Sequence, residues 1–197
     1  MKKLWMVAAA TSVLVNLSAQ DGSTETQTVG VIIDAHALVD VVDNGLIFDL
    51  SSNTPTEAGE GMSFSANSKL STFLNYSLML SNGGLADGSI SVKASNIKPG
   101  VKLLLQADGS AASSLNSATN GDLGTVVATF DKQQGASPVE LTASDQTLIE
   151  NIGSSYTGDG TGKGYELTYF VALDDYALLD ADDGNQDVAT VTYTIAE

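Results

Sequence analysis

The chain contains neither cysteine nor arginine, and only one histidine and one tryptophan. Each absence removes a class of chemistry. Without a thiol there is no cysteine nucleophile, no thiolate metal site and no iron–sulfur cluster. Small exported domains often lean on disulfides, but a chain of this size buries enough apolar surface to stand without them. A single imidazole, His36, cannot build a histidine-rich metal site. It is also the only base available to a Ser–His–acid relay, and the surrounding DAHALVD lacks a glycine-rich nucleophile turn. His36 is therefore read as an exposed strand residue. With no arginine, and tryptophan confined to Trp5, the chain beyond its opening stretch lacks two residues that dominate binding hot spots.

Positive charge is scarce as well. The eight basic residues are all lysines, set against 24 carboxylates, for a formal net charge of −16. Nucleic-acid binding rests on lysine and arginine neutralising phosphates, so nucleic acid is excluded as a partner. Anionic lipid surfaces are disfavoured for the same reason. Two of the lysines sit in the opening stretch MKKLWMVAAATSVLVNLSAQ, which has the form of a secretory signal. Lys2 and Lys3 give a positive start, Leu4 to Leu17 an apolar run, and Leu17-Ser-Ala small residues for cleavage after Ala19. The run falls short of the roughly 20 apolar residues a membrane span needs. The expectation is a signal over 1–19 and a single exported domain over 20–197, periplasmic, cell-surface or extracellular, with no membrane span after cleavage.

What the sequence does have is alternation. Short runs of period two recur between Gly, Asn, Asp and Ser clusters, and no stretch sustains the spacing of a long helix. Val29, Val31, Ile33, Ala35, Ala37, Val39 and Val41 hold one parity, with Asp34, His36 and Asp40 on the other. LIFDL (46–50), GMSFSA (61–66), NYSLML (75–80), SISVKA (89–94) and VKLLLQA (101–107) follow. After a Ser/Ala/Asn/Gly loop at 108–121 come GTVVATF, SPVELTA, GYELTYFVAL and VATVTYTI. About ten strands at these spacings predict an all-β fold, an antiparallel β-sandwich of Ig-like or pilin-like topology. One short helix is expected near 145–152, capped by Ser144 or Asp145 and ended by Gly153, with Leu148, Ile149 and Ile152 on one face.

No motif names a reaction, and no catalytic residue or organic cofactor is assigned. Glu57, Glu60 and the pair Asp174–Asp175 are loop carboxylates without an aromatic-rich cleft sequence beside them. GDGTGKGYE (158–166) precedes a strand rather than a helix, so it reads as a turn using the positive φ open to glycine, not a phosphate cradle. The strongest small-ligand signal is DADDGNQD, where Asp180, Asp182, Asp183, Asn185 and Asp187 crowd hard oxygen donors together, as Ca²⁺ prefers. Read as an EF-hand from Asp183, the stretch puts Val188 where glycine is needed and Thr194 where a bidentate Glu belongs. A solvated acidic turn and a weak calcium loop both remain open. Tyr165 and Tyr169 share parity with Leu167, Val171 and Leu173 and read as core. Tyr156 and Tyr176 sit in loops, where a tyrosine ring can stack on a glycan.

The two alternating ends suggest strand exchange, in which an open sheet edge recruits an extended segment from a neighbour. Residues 29–41, with Val29, Val31, Ile33, Val39 and Val41, form the candidate donated or swapped segment. Residues 188–195, with Val191, Tyr193 and Ile195, form the candidate acceptor edge. The closing DVATVTYTIAE resembles the C-terminal strand of chaperone–usher pilins. Gly184 stands fourteenth from the end, where those proteins carry glycine; their penultimate tyrosine is replaced by Ala196, with Tyr193 fifth from the end, and their disulfide is absent. Gly153 to Ile195 also resembles the end of secreted β-rich bacterial envelope proteins of no assigned activity. The resemblance implies a fimbrial-like surface subunit partnered by itself or by other surface subunits. The alternative expectation is a calcium- or glycan-binding module on the same sandwich.

Overall fold

A computed structural model describes residues 26–43, 45–64, 69–81, 86–110, 120–181 and 187–197. The expected signal at 1–19 lies outside these residues. The chain divides into two units, Met1–Ile33 and Asp34–Glu197. Of the first, residues 26–33 are described and form no regular secondary structure. The second is a two-sheet antiparallel β-sandwich, as the alternation predicts.

Ten strands are present among the described residues: β1 (His36–Val41), β2 (Lys69–Met79), β3 (Gly88–Ser95), β4 (Val101–Asp108), β5 (Thr125–Val126), β6 (Val139–Glu140), β7 (Gln146–Ile152), β8 (Ser155–Tyr156), β9 (Tyr165–Leu173) and β10 (Thr190–Ala196). One sheet runs β1-β2-β9-β4-β6, with β8 also on β2; the other runs β10-β3-β7-β5. Period-two patterning explains the core. Leu74, Tyr76 and Leu78 of β2, Ile90 and Val92 of β3, Leu103 and Leu105 of β4, and Tyr165, Leu167 and Tyr169 of β9 all point between the sheets. Full burial of each aliphatic side chain contributes about 1.5–3 kcal/mol.

Two tyrosines close one end of this core. The rings of Tyr76 and Tyr165 stack with centroids 6.3 Å apart and 10° between planes. Both hydroxyls donate to the carbonyl of Leu123, Tyr165 at 2.9 Å, and so tie the segment before β5 to the opposite sheet. The glycine-rich turn at 158–166 behaves as expected. Gly158, Gly160, Gly162 and Gly164 all adopt positive φ, and a Cβ on Gly164 would stand 2.0 Å from the carbonyl oxygen of Leu74.

Several expectations need correction. The helix near 145–152 is strand β7 instead. Its pairing with β3 shifts register twice: Ser91 faces Thr147 and Ile90 faces Ile149, then Gly88 faces Ile152. Each shift inserts an extra residue on β7, the signature of a β-bulge. The bulges bury Leu148 and Ile149 side by side and return Ile152 inward, which reproduces the i, i+1, i+4 spacing of a helix. LIFDL and the described part of GMSFSA keep alternating exposure but join no ladder; Ser51–Asn53 is a 3₁₀ turn between them. Ala66 lies outside the described residues. Of the long alternating run at 29–41, only His36–Val41 is strand.

Candidate functional site: an open strand edge

A two-sheet sandwich has four edges, here β1 and β6 on one sheet and β10 and β5 on the other. Edges with unpaired main-chain groups invite added strands, and proteins blunt them by shortness, charge or proline. β5 and β6 are two residues long, and Pro138 precedes β6. β1 carries Asp40 and His36 and is flanked by Asp34 and Asp43. β10 has none of these within its own length, although Glu197 follows it directly. Its seven residues, TVTYTIA, contain no charge, no proline and no glycine.

β10 is held to β3 along its whole length, from Thr190↔Ser95 to Ala196↔Ser89. Thr190, Thr192 and Thr194 face solvent, while Val191, Tyr193 and Ile195 are half-buried against the core. The hydroxyl of Tyr193 lies within hydrogen-bond distance of the Tyr169 hydroxyl on β9, which fastens β10 to the other sheet. Burial drives both hydroxyl pKa values up, that of Tyr169 to about 12. β1 runs near β10 on the same side of the sandwich. Between them lies a recess of about 250 Å³ lined by Val39, Asp40, Val41, Val191 and Tyr193. The structure thus brings Val39 and Val41 together with Val191 and Tyr193, four of the residues singled out for strand exchange. In the Met1–Ile33 unit, Val29, Val31 and Ile33 are 70–79% exposed, and Ile32 is 92% exposed.

Residues 36–41 pair within the chain's own sheet, His36 to Val41 against Met79 to Leu74 of β2. His36 itself is exposed. Its Nε2 stands 3.2 Å from the Ser77 hydroxyl, and its Nδ1 faces the backbone carbonyl of Asp34 at 3.4 Å, not a carboxylate.

The acidic stretch is seen only at its margins. Asp182, Asp183, Gly184 and Asn185 lie outside the described residues, while Asp180 is exposed. Asp187 pairs with Lys98, Asp174 with Lys102 at 3.0 Å, and Asp175 caps the 3₁₀ turn at Tyr176–Leu178 through the Ala177 amide. Among the described residues no three acidic or histidine side chains converge as metal ligands do. Tyr165 and Tyr169 are core residues, and Tyr156 and Tyr176 are about half exposed.

Sequence reading missed a second polar constellation. Asp108, at the end of β4, accepts from the Ser110 amide and hydroxyl, the Gln133 side chain and Lys132 Nζ. Burial opposes its charge, yet these donors outweigh it and hold the carboxyl at about 2. Asp131 caps the turn Lys132–Gln134 through the Gln133 amide. Beside them is a cavity of about 290 Å³, walled by Asp131, Gln133, Tyr165 and the glycines 109 and 124. The only sequence trace is Asp131 three residues before Gln134 and four before Gly135, a capping signature on a short turn. Both carboxylates are saturated by the protein's own donors, so the constellation ties β4 to the 131–135 turn.

No family model, no curated protein and no solved structure matches the chain.

Proposed function

We propose that this chain is a non-enzymatic structural subunit, exported to the cell surface, which associates with copies of itself or with other surface subunits by β-strand exchange. The observation that carries the reading is β10, a seven-residue edge strand without charge, proline or glycine in a protein of net charge −16. An edge left this way favours main-chain pairing with an extended segment, because hydrogen bonds supply affinity and alternate side chains supply register. The signal-like opening stretch and the pilin-like closing strand are consistent with export. No convergent catalytic set competes with this reading among the described residues.

The test uses residues 20–197 at increasing concentration, followed by gel filtration and electron microscopy. Species larger than the monomer are expected to accumulate. Replacing Val191→Lys puts an inward charge on the open edge and is expected to abolish them while circular dichroism stays unchanged. A wild type that remains monomeric at millimolar concentration overturns the proposal.

A further inference from the structure

Two features have no partner in the fold described so far. One is the outer edge of β10 with its recess. The other is the stretch Thr26–Ile33, TQTVGVII, whose Val29, Val31, Ile32 and Ile33 stand exposed. The part of the 29–41 run that β2 takes up begins at His36, so only the upstream part is available for donation. The geometry points to Thr26–Ile33 of one molecule as the strand that completes the β10 edge of a second copy, with Val29, Val31 and Ile33 turned toward Val39, Val41, Val191 and Tyr193. This rests on the strand-exchange reading and names its donor and its acceptor.

Three arguments select this occupant. The lengths match: eight donor residues at about 3.3 Å each span about 26 Å, close to the about 23 Å of a seven-residue β10. The parity matches, since Val29, Val31 and Ile33 share one face of the donor and the recess presents Val39, Val41 and Val191 beside Asp40 and Tyr193. The charge matches most tellingly. Two copies of a chain with net charge −16 repel over most of their surface, yet neither Thr26–Ile33 nor Thr190–Ala196 carries a side chain charged at neutral pH.

The absence of native cysteine makes the test direct. Gly30 has open space where a side chain would begin, and Thr190, Thr192 and Thr194 are exposed along β10. A Gly30→Cys chain is mixed in turn with Thr190→Cys, Thr192→Cys and Thr194→Cys chains, each pair being oxidised and weighed by mass spectrometry. A heterodimer is expected with one of the three partners. Doubling Val31→Asp with Ile33→Asp is expected to remove all species above the monomer and leave the thermal midpoint of the sandwich in place. A chain carrying both Gly30→Cys and the threonine-to-cysteine change that pairs with it is oxidised as well; if it closes only within itself, as a monomer, the donor acts within its own molecule and the inference fails. If no pair cross-links and the Asp variant still assembles while Val191→Lys does not, the donor is wrong and strand exchange stands. If the wild type never assembles, both fall.

Discussion

At the residue scale the molecule is held by polar groups that burial has made demanding. Tyr169 and Tyr193 meet hydroxyl to hydroxyl across the two sheets. Removing either hydroxyl leaves the other buried without its partner, so Tyr169→Phe and Tyr193→Phe should each cost about 1–2 kcal/mol in urea unfolding. The double variant should cost clearly less than the sum, because the second change removes a group already unpaired. Burial also raises the folded-state pKa of Tyr165 and Tyr169 to about 12 and pushes up Tyr76 and Tyr193. A raised folded pKa contributes stability that is intact below the unfolded value near about 10 and is lost as pH climbs through about 12. Asp108 works in the opposite direction. Its carboxyl is held at about 2, so its contribution is present above about 4 and drains away as pH falls toward 2. Asp108→Asn should lower stability at pH 7 by about 1–3 kcal/mol and flatten the loss between pH 4 and 2, followed by urea titration at each pH.

At the element scale, backbone fit decides more than propensity. Gly164 combines positive φ with a site where any Cβ would strike the Leu74 carbonyl, whereas Gly135 has the same φ in open space. Gly135→Ala should cost about 1 kcal/mol, the price of the left-handed backbone alone. Gly164→Ala should cost more than about 2 kcal/mol, since β2 and the start of β9 must also move apart. Thermal unfolding of the two variants side by side separates space from conformation. The same distinction explains what was legible in the sequence. Where the apolar side of a strand keeps period two, as at Tyr165, Leu167 and Tyr169 of β9 and Leu103, Leu105 and Ala107 of β4, alternation places the element and its buried side. Gln146–Ile152 defeats that reading because two bulges rephase its side chains, and a bulge depends on the partner strand rather than on local residues. Leu46 and Phe48 alternate and pack on the core without a ladder, because pairing needs a neighbour that the sequence does not specify. The candidate site shares this limit. The residues of β10 are evident in TVTYTIA, but its place at an edge, beside Val39 and Val41, exists only in the strand order.

At the scale of the whole molecule, charge opposes what the edge invites. Net charge −16 spreads repulsion over a surface whose only contributors of positive charge are lysines, and several of those are taken up by ion pairs: Lys93 with Asp145, Lys98 with Asp187, Lys102 with Glu140 and Asp174, and Lys132 with Asp108. Association through an uncharged edge gains nothing from opposite charges, so salt acts only by screening the repulsion. The Debye length shrinks from about 30 Å at about 0.01 M salt to about 8 Å at about 0.15 M. Assembly of residues 20–197 should therefore speed up and tighten over that range, by at least about tenfold in the apparent association constant, which corresponds to about 1.4 kcal/mol. Light scattering at fixed protein concentration and stepped salt provides the measurement. An interface built on ion pairs would respond with the reverse sign, weakening as salt screens its attraction. A fall in association with salt would place the contact on the charged lysine-bearing surface and away from β10, whatever the size of the particles formed.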